Sequence, residues 1–365
     1  MTTVVLGGGY AGVMAANRLA SHGLPAQLVT PDSWFVERIR LHEVAGGARE
    51  DARIPFERLL DPAVELILDT AVKVDDETVQ LASGAELGFT HVIYTVGSGA
   101  PRSGVHRIAS EGEAARLHAA LQAQPDASVT VVGAGLTGVE LTGALLDAGR
   151  RVRLATASVP RRRAARAHLA ALARRGATVE TGVRVDLTGD DGGGLVVDTT
   201  GFDVPRLAAD SGLPTDPHGR LVVDDTLTVP GHPRILGAGD AALVIGPRGE
   251  HLRHACATAL PQGAGAADVV CARTRGVRPE PLSLGYLLQC VDLGGGSGHV
   301  QLVHADDSER PFAITGRAGG MVKEAVCRMT VRWLTTASRY SWPSAPHDVR
   351  QGVTERHAGP VTAAE

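Results

Sequence analysis

Thr3-Val4-Val5-Leu6 is a short β-branched apolar run, and it breaks at Gly7-Gly8-Gly9. A small-residue stretch with helical spacing of apolar positions follows from Val13 to His22 and stops at Gly23. Ala26 to Val29 then reads as a second short strand. The same succession recurs further along the chain. Val129-Thr130-Val131-Val132 leads into Gly133-Ala134-Gly135-Leu136-Thr137-Gly138, then a helix to about Ala148, Gly149, and a strand from Arg151 to Ala155. Each copy has the pattern of a βαβ unit, with apolar runs suited to buried parallel strands. Two copies in one chain are far more specific than one.

Between the copies, Ala71 to Leu87 alternates in short strands with turns at Asp75-Asp76 and Ser83-Gly84, which predicts a small β-meander. His91 to Tyr94 is a strand ending in Thr95-Val96-Gly97-Ser98. After the second copy, short strands are expected between Gly176 and Val197, with a turn at Gly192-Gly193-Gly194, and another strand from Arg220 to Asp224. Arg234-Ile235-Leu236 enters Gly237-Ala238-Gly239-Asp240. His254 to Val270 reads as a small-residue helix despite Pro261. From about Thr274 the pattern changes to strands and turns, with a tight loop at Gly294-Gly295-Gly296. Met321, Val322, Ala325, Val326, Met329 and Trp333 fall at helical spacing and predict a helix from Met321 to Leu334 whose apolar face packs the core. Residues 351–365 read as a flexible tail.

Composition adds limits to this picture. With 365 residues, 44% hydrophobic and 21% charged, the chain can bury the cores of two to three domains. A net charge of −4 excludes a generally basic surface for nucleic acid or anionic membrane. Lys73 and Lys323 are the only lysines beside 34 arginines, which reads as coding bias. The four cysteines, Cys256, Cys271, Cys290 and Cys327, form no CxxC pair, so neither a disulfide framework nor a metal site is expected. The chain shows no basic leader and no apolar run of the roughly 18 residues needed for a membrane span. The expectation is a cytoplasmic protein without a transmembrane segment.

The glycine loops carry the first chemistry. Gly7-x-Gly9-x-x-Gly12 places glycine where the chain turns, where backbone meets a pyrophosphate, and where helix packs on strand. The helix start beyond it offers free N–H groups to a diphosphate. A carboxylate for the ribose is expected about 20 residues on. Thr30 stands there instead, with Asp32 two residues further as either a substitute or a turn residue. Gly133-x-Gly135-x-x-Gly138 is framed in the same way, and Thr156 stands at its ribose position. Arg161-Arg162-Arg163 follows shortly, and arginine without a carboxylate favours a 2′-phosphate, hence NADPH over NADH; the alternative is a solvated helix start. Asp240, closing a Gly-Ala-Gly-Asp turn, could accept hydrogen bonds from a cofactor's sugar-alcohol chain or cap a helix.

These motifs resemble those of the two-dinucleotide-binding-domain flavoproteins, the pyridine-nucleotide-dependent flavin oxidoreductases. Among them the chain looks most like type II NADH dehydrogenases and apoptosis-inducing-factor-like proteins. The resemblance lies in Val4 to Gly12, Tyr94 to Ser98, Val131 to Glu140, Thr199-Thr200-Gly201-Phe202 and Gly237 to Asp240, and Phe35 to Glu43 looks like a stretch of bacterial soluble members. It covers residue 3 to roughly 340. It implies an α/β fold of two Rossmann-like, three-layer ββα dinucleotide-binding domains and a C-terminal α+β domain. An FAD-binding domain would comprise 1–105 and 225–275, an NAD(P)-binding domain 106–224, and a C-terminal domain 276–350. FAD would be held by Gly7, Gly9, Tyr10, Ala11, Gly12, Arg40, Val72, Thr95, Gly97, Gly239 and Asp240. NADPH or NADH would be held by Gly133, Gly135, Leu136, Thr137, Gly138, Thr156, Arg161 and Gly201. Glu140 matches a glutamate near the nicotinamide–flavin contact, or is a first-turn carboxylate favoured by the helix dipole.

Within this resemblance, absences narrow the chemistry. Disulfide reductases of this fold carry a redox cysteine after the second strand of the FAD domain, but Arg38 to Gly47 contains none. Cys256 and Cys290 then read as packed small residues. Hydride transfer from NAD(P)H to flavin and electrons to a quinone-like or other small-molecule acceptor remain. The quinone-site pattern of type II dehydrogenases is only partly met, since Ala257 and Pro261 replace its glutamines and Gln262 is offset by one. A tailoring oxidoreductase of a specialised metabolite and a non-enzymatic redox-sensing flavoprotein are the alternatives, and a homodimer is compatible with each.

Overall fold

The computed structural model describes residues 2–99, 105–187, 194–201 and 203–345. The expected tail at 351–365, Gly192-Gly193 and Phe202 lie outside them. Thr3–Leu6 runs through a six-stranded sheet, and its side chains alternate between two layers. Val5 enters the core beneath the helices, whereas Val4 and Leu6 enter a second core beneath a small sheet. Burial on both faces requires the unbroken apolar run seen in the sequence. Across the sheet the order is Thr228–Val229, His232–Gly237, His91–Tyr94, Thr3–Leu6, Ala26–Thr30 and Val64–Leu68. All pairs are parallel except the first, which is antiparallel. The small sheet is the expected meander, Ala71–Val74, Thr78–Leu81 and Glu86–Gly88.

Eight α-helices occur among the described residues: α1 (Tyr10–Ser21), α2 (Leu41–Gly46), α3 (Glu111–Ala123), α4 (Leu136–Asp147), α5 (Arg163–Arg174), α6 (Leu207–Asp210), α7 (Cys256–Thr274) and α8 (Gly316–Thr335). The small residues of α7 allow close approach to α1: a Cβ on Gly263 would lie 2.1 Å from the Ala11 carbonyl oxygen. The second glycine loop opens α4 from a four-stranded parallel sheet, ordered Thr178–Thr181, Val152–Thr156, Val129–Val132 and Leu195–Asp198. The two modules repeat each other in detail. Gly7 N–H donates to Val29 O at 2.8 Å, and Gly133 N–H donates to Ala155 O at 2.8 Å. Thr95 Oγ1 donates to Leu6 O at 2.7 Å, and Thr199 Oγ1 donates to Val132 O at 2.8 Å. The short helix α2 leaves the first module and packs into the second, where Leu41, Val44 and Ala45 share a core with Leu117, Leu141 and Leu145.

Leu288–Gly294, Ser297–Val303 and Glu309–Thr315 form an antiparallel sheet covered by α8. The expected core-facing stripe of α8 is corrected in part. Met321 is 74% and Met329 40% exposed, while Gly319, Cys327, Thr330 and Leu334 are buried. Glycines explain the inversion. A Cβ on Gly319 would lie 2.3 Å from Gly298 O, and one on Gly320 would lie 2.4 Å from Gly296 O. The helix backbone rests directly on the hairpin, so Met321 and Met329 point outward, while Trp333 still packs against the core. The strand expected from Arg220 to Asp224 shortens to Leu221–Val222, because the Asp224 carboxylate closes a turn with Thr226 and Thr228.

Candidate functional site

A cavity of about 290 Å³ opens where the two glycine loops face α8 and the strand Leu288–Gly294. From the first module come Gly9, Tyr10, Ala11, Thr95 and Gly97, joined by Gly239 and Asp240 after the chain has returned. From the second come Leu136, Thr137, Glu140 and Gly201. Eleven of the residues named from sequence therefore line one cavity. Gly7, Gly12, Gly133 and Gly138 lie behind this wall as close-packing positions. A Cβ on Gly12 would sit 1.9 Å from Gly7 O, and one on Gly138 would sit 1.9 Å from Gly133 O. At Gly9 and Gly135 a Cβ would meet nothing within 4 Å. That open space at the start of each helix is where a diphosphate can approach backbone N–H groups. The Tyr10 hydroxyl is buried in the cavity wall without a hydrogen-bond partner. The open helix start fits the diphosphate of a bound nucleotide cofactor.

Other residues named from sequence lie elsewhere. Arg40 is not on the cavity wall; its guanidinium meets Glu37 at 3.2 Å, Glu43 at 2.7 Å and Glu324 at 2.6 Å. Arg38 lines the cavity in its place and donates to Ser98 Oγ at 3.1 Å. Arg38–Arg40 is a 3₁₀ turn, and three residues per turn aim the two arginines in different directions. Val72 sits half-exposed on the meander. Asp32 is exposed on a bend, and Thr30 is buried against Gly8. Thr156 closes its strand, buried, with Oγ1 3.4 Å from Ser158 Oγ. Arg161 is exposed, but Arg162 is bound to Asp307 at 3.0 Å, and Arg163 donates its backbone N–H to Glu309 at 2.9 Å. Two of the three arginines are thus tied to the C-terminal hairpin.

Asp240 does not cap a helix, since the next helix, α7, starts only at Cys256. Its Oδ2 accepts from Ser98 Oγ at 3.0 Å, and His254 Nδ1 lies 3.5 Å from Oδ1. Burial pushes the carboxyl up, but His254, Arg38 and Ser98 together hold it below the usual range. Gln262 is not on the cavity wall: it is buried, and its Oε1 accepts the Gly239 N–H at 2.7 Å.

Glu140 lies beyond the first turn of α4, so the helix-dipole explanation fails. Its Oε1 accepts from Lys323 Nζ at 2.8 Å and from the Asp292 N–H at 3.1 Å. Burial raises the carboxyl, yet Lys323 and His42 bring it below its ordinary value. Burial lowers the Lys323 ammonium, yet Glu140 leads the effects that raise it well above its ordinary value. Both groups stay charged at neutral pH. The carboxylate's contribution is lost only below the ordinary carboxylate range, and the ammonium's only above the ordinary lysine value.

Cys256, Cys290 and Cys327 all line the cavity, which reading Cys256 and Cys290 as packed small residues did not anticipate. They come from α7, the strand Leu288–Gly294 and α8, not from the helix where this fold carries redox cysteines. Burial pushes Cys256 up to about 12 and Cys327 up to about 11, outweighing Lys323, so these thiols are protonated at neutral pH. His42, Arg253 and Lys323 are further cavity residues that the sequence reading missed. For Lys323 a signal existed: a lysine kept in a chain that otherwise uses arginine.

A profile of the family described as pyridine nucleotide-disulphide oxidoreductase matches residues 1–263. Ferroptosis suppressor protein 1 of Xenopus laevis is 31% identical over 144 residues, 38% of this chain and 38% of that protein. The matched stretch thus spans about two fifths of that relative. A NADH dehydrogenase-like protein of Mycobacterium tuberculosis is 29% identical over 291 residues, covering 66% of this chain and 72% of that one. Among solved structures, the sulfide:quinone oxidoreductase of Aquifex aeolicus superposes with a TM-score of 0.76 over 98% of this chain and 95% of that one. At 18% identity that likeness is one of fold.

Proposed function

This chain belongs to the pyridine nucleotide-disulphide oxidoreductase family; from that premise we propose that it is an NAD(P)H-dependent flavin oxidoreductase that passes electrons from NAD(P)H through FAD to a quinone-like small molecule, without a redox disulfide. One observation carries the reading: residues beside both glycine loops line the same cavity, with the Glu140–Lys323 pair between them. FAD bound from the first loop would supply a ring that accepts hydride and returns electrons one or two at a time. Gly9 would leave room for its diphosphate, Asp240 would accept from its sugar-alcohol hydroxyls, and Arg38 holds Ser98 beside Asp240. Leu136, Thr137 and Gly201 receive the nicotinamide nucleotide from the opposite side. The division into an FAD-binding part at 1–105 and 225–275 and an NAD(P)-binding part at 106–224 belongs to this proposal. NADPH is the preferred donor, because Thr156 presents no carboxylate to repel a 2′-phosphate and Arg161 is at hand to contact it.

The acceptor and the thiols are tested together. Turnover with NADPH and a short-chain benzoquinone should be rapid, and replacing all four cysteines by serine should keep it within a few-fold. A folded, FAD-replete serine variant that has lost two orders of magnitude would overturn the thiol-free reading. Slow turnover of the native chain with every quinone would overturn the acceptor class.

A further inference from the structure

The Glu140–Lys323 pair has a third neighbour that the proposed reaction does not use. His42, on α2, places Nδ1 3.8 Å from Glu140 Oε2, on the other carboxylate oxygen from the one Lys323 holds. Its second nitrogen, Nε2, lies 3.9 Å from Asp292 Oδ2. The His42 ring is 4% exposed, and Nε2 is buried without a hydrogen-bond partner. The Asp292 side chain is 35% exposed. Ammonium, carboxylate, imidazole and carboxylate therefore step from the cavity to solvent. They come from four separate elements, α8, α4, α2 and the strand Leu288–Gly294. Each His42 gap exceeds a direct hydrogen bond and is closed by a small ring movement or one bridging water.

We propose that His42 relays protons between Asp292 at the surface and the Glu140–Lys323 pair in the cavity. The inference rests on the function proposed above, in which the acceptor is reduced by two electrons. The proton count requires such a route. NAD(P)H supplies a hydride, which carries two electrons and one proton. A quinone that leaves as hydroquinone gains two electrons and two protons, so one more must come from water. Lys323 gives that proton to the acceptor, and Glu140 passes it a replacement taken from His42, which is refilled through Asp292. Imidazole suits the middle position because one nitrogen can take a proton while the other releases one.

The surroundings leave His42 to this role. On α2 itself, Glu43 is engaged by Arg40 at 2.7 Å and Arg49 at 2.9 Å. From α3, the His118 ring is 3.4 Å from Ala45 O. From α5, His168 feels Glu140, but burial keeps it neutral, lowering it to about 4. Among the described residues, the carboxylates beside the ring are Glu140, Asp292 and Glu43, and Glu43, within 4.8 Å of the His42–Asp292 group, is the one already held by Arg40 and Arg49.

The holoenzyme decides the matter by anaerobic reduction with NADPH, followed by rapid mixing with a short-chain benzoquinone in weak buffer containing a pH indicator. Flavin absorbance and proton uptake are followed together. In His42→Gln, the ratio of reoxidation to reduction rates should fall at least tenfold. The deficit should grow as pH rises, proton uptake should trail flavin reoxidation, and added imidazole should restore part of the rate. Asp292→Asn should show the same pattern more weakly. A His42→Gln protein with the native rate ratio, pH profile and synchronous proton uptake would overturn the relay and leave the proposed function standing. Should that variant lose its flavin, Asp292→Asn decides by the same criteria. If NADPH and NADH both fail to reduce the native flavin, the proposed function itself is wrong.

Discussion

Asp240 keeps its charge in surroundings that burial alone would neutralise, because His254 and Arg38 stand beside it. Its native pKa is depressed, so the charge is present at neutral pH and lost only as pH falls below the ordinary carboxylate value of about 3.9. Asp240→Ala should purify with most of its FAD missing, read from the flavin-to-protein absorbance ratio, while the native chain retains FAD down to about pH 4. A variant with full FAD would remove Asp240 from the cofactor site. This residue was legible because a glycine turn after a buried strand announces it. Arg38 was not, since Arg40 stands two residues away and only the 3₁₀ geometry separates them. Lys323 was visible as a rarity, but its partner Glu140 is distant in sequence and the two meet only through the fold.

At the scale of the elements, the first glycine loop divides its work. Gly12 has no room for a side chain, whereas Gly9 faces open space with an ordinary extended backbone at φ −85°. Gly12→Ala should therefore lower the stability of the cofactor-free protein by about 1–3 kcal/mol, through overpacking against Gly7. Gly9→Ala should leave that stability within about 0.5 kcal/mol. It should weaken FAD binding by roughly tenfold, or about 1.4 kcal/mol. Urea denaturation of the apoproteins and flavin titration check both. Equal destabilisation by the two changes would contradict the division. The βαβ units were legible to within a few residues because their strands are buried on both faces. The orientation of α8 was not: periodicity places Met321 and Met329 on an apolar face, but the glycine contacts to Gly296 and Gly298 decide which face turns inward. Those contacts join residues some twenty positions apart and leave no periodic signature.

Across the whole molecule, the C-terminal hairpin fastens the parts that the reaction needs in register. Asp307 holds a left-handed backbone at φ +73°, an unfavourable conformation for a non-glycine residue, in the turn before Glu309–Thr315. From there its carboxylate binds Arg162 at the start of α5 and Arg253 on the cavity wall. In the proposed reading, Arg161 is the one of the three left to contact the nucleotide. A charge-assisted contact contributes roughly 1.5–3 kcal/mol, so Arg161→Ala should reduce the preference for NADPH by about tenfold or more. Arg162→Ala should loosen the domain contact without that selective loss. Equal flavin-reduction constants for NADPH and NADH in the native chain, measured by stopped flow, would refute the assignment. The arginine run was legible, but the tie of Arg162 and Arg163 to the hairpin was not, because Asp307 and Glu309 belong to a turn and strand much later in the chain. The central claim is that the shared cavity holds FAD within reach of a nicotinamide, and anaerobic titration of the purified protein with NADPH and NADH tests it most directly. The account predicts stoichiometric flavin, bleached fully by one equivalent of the preferred nucleotide; a protein without flavin, or with flavin that neither nucleotide reduces, would contradict it.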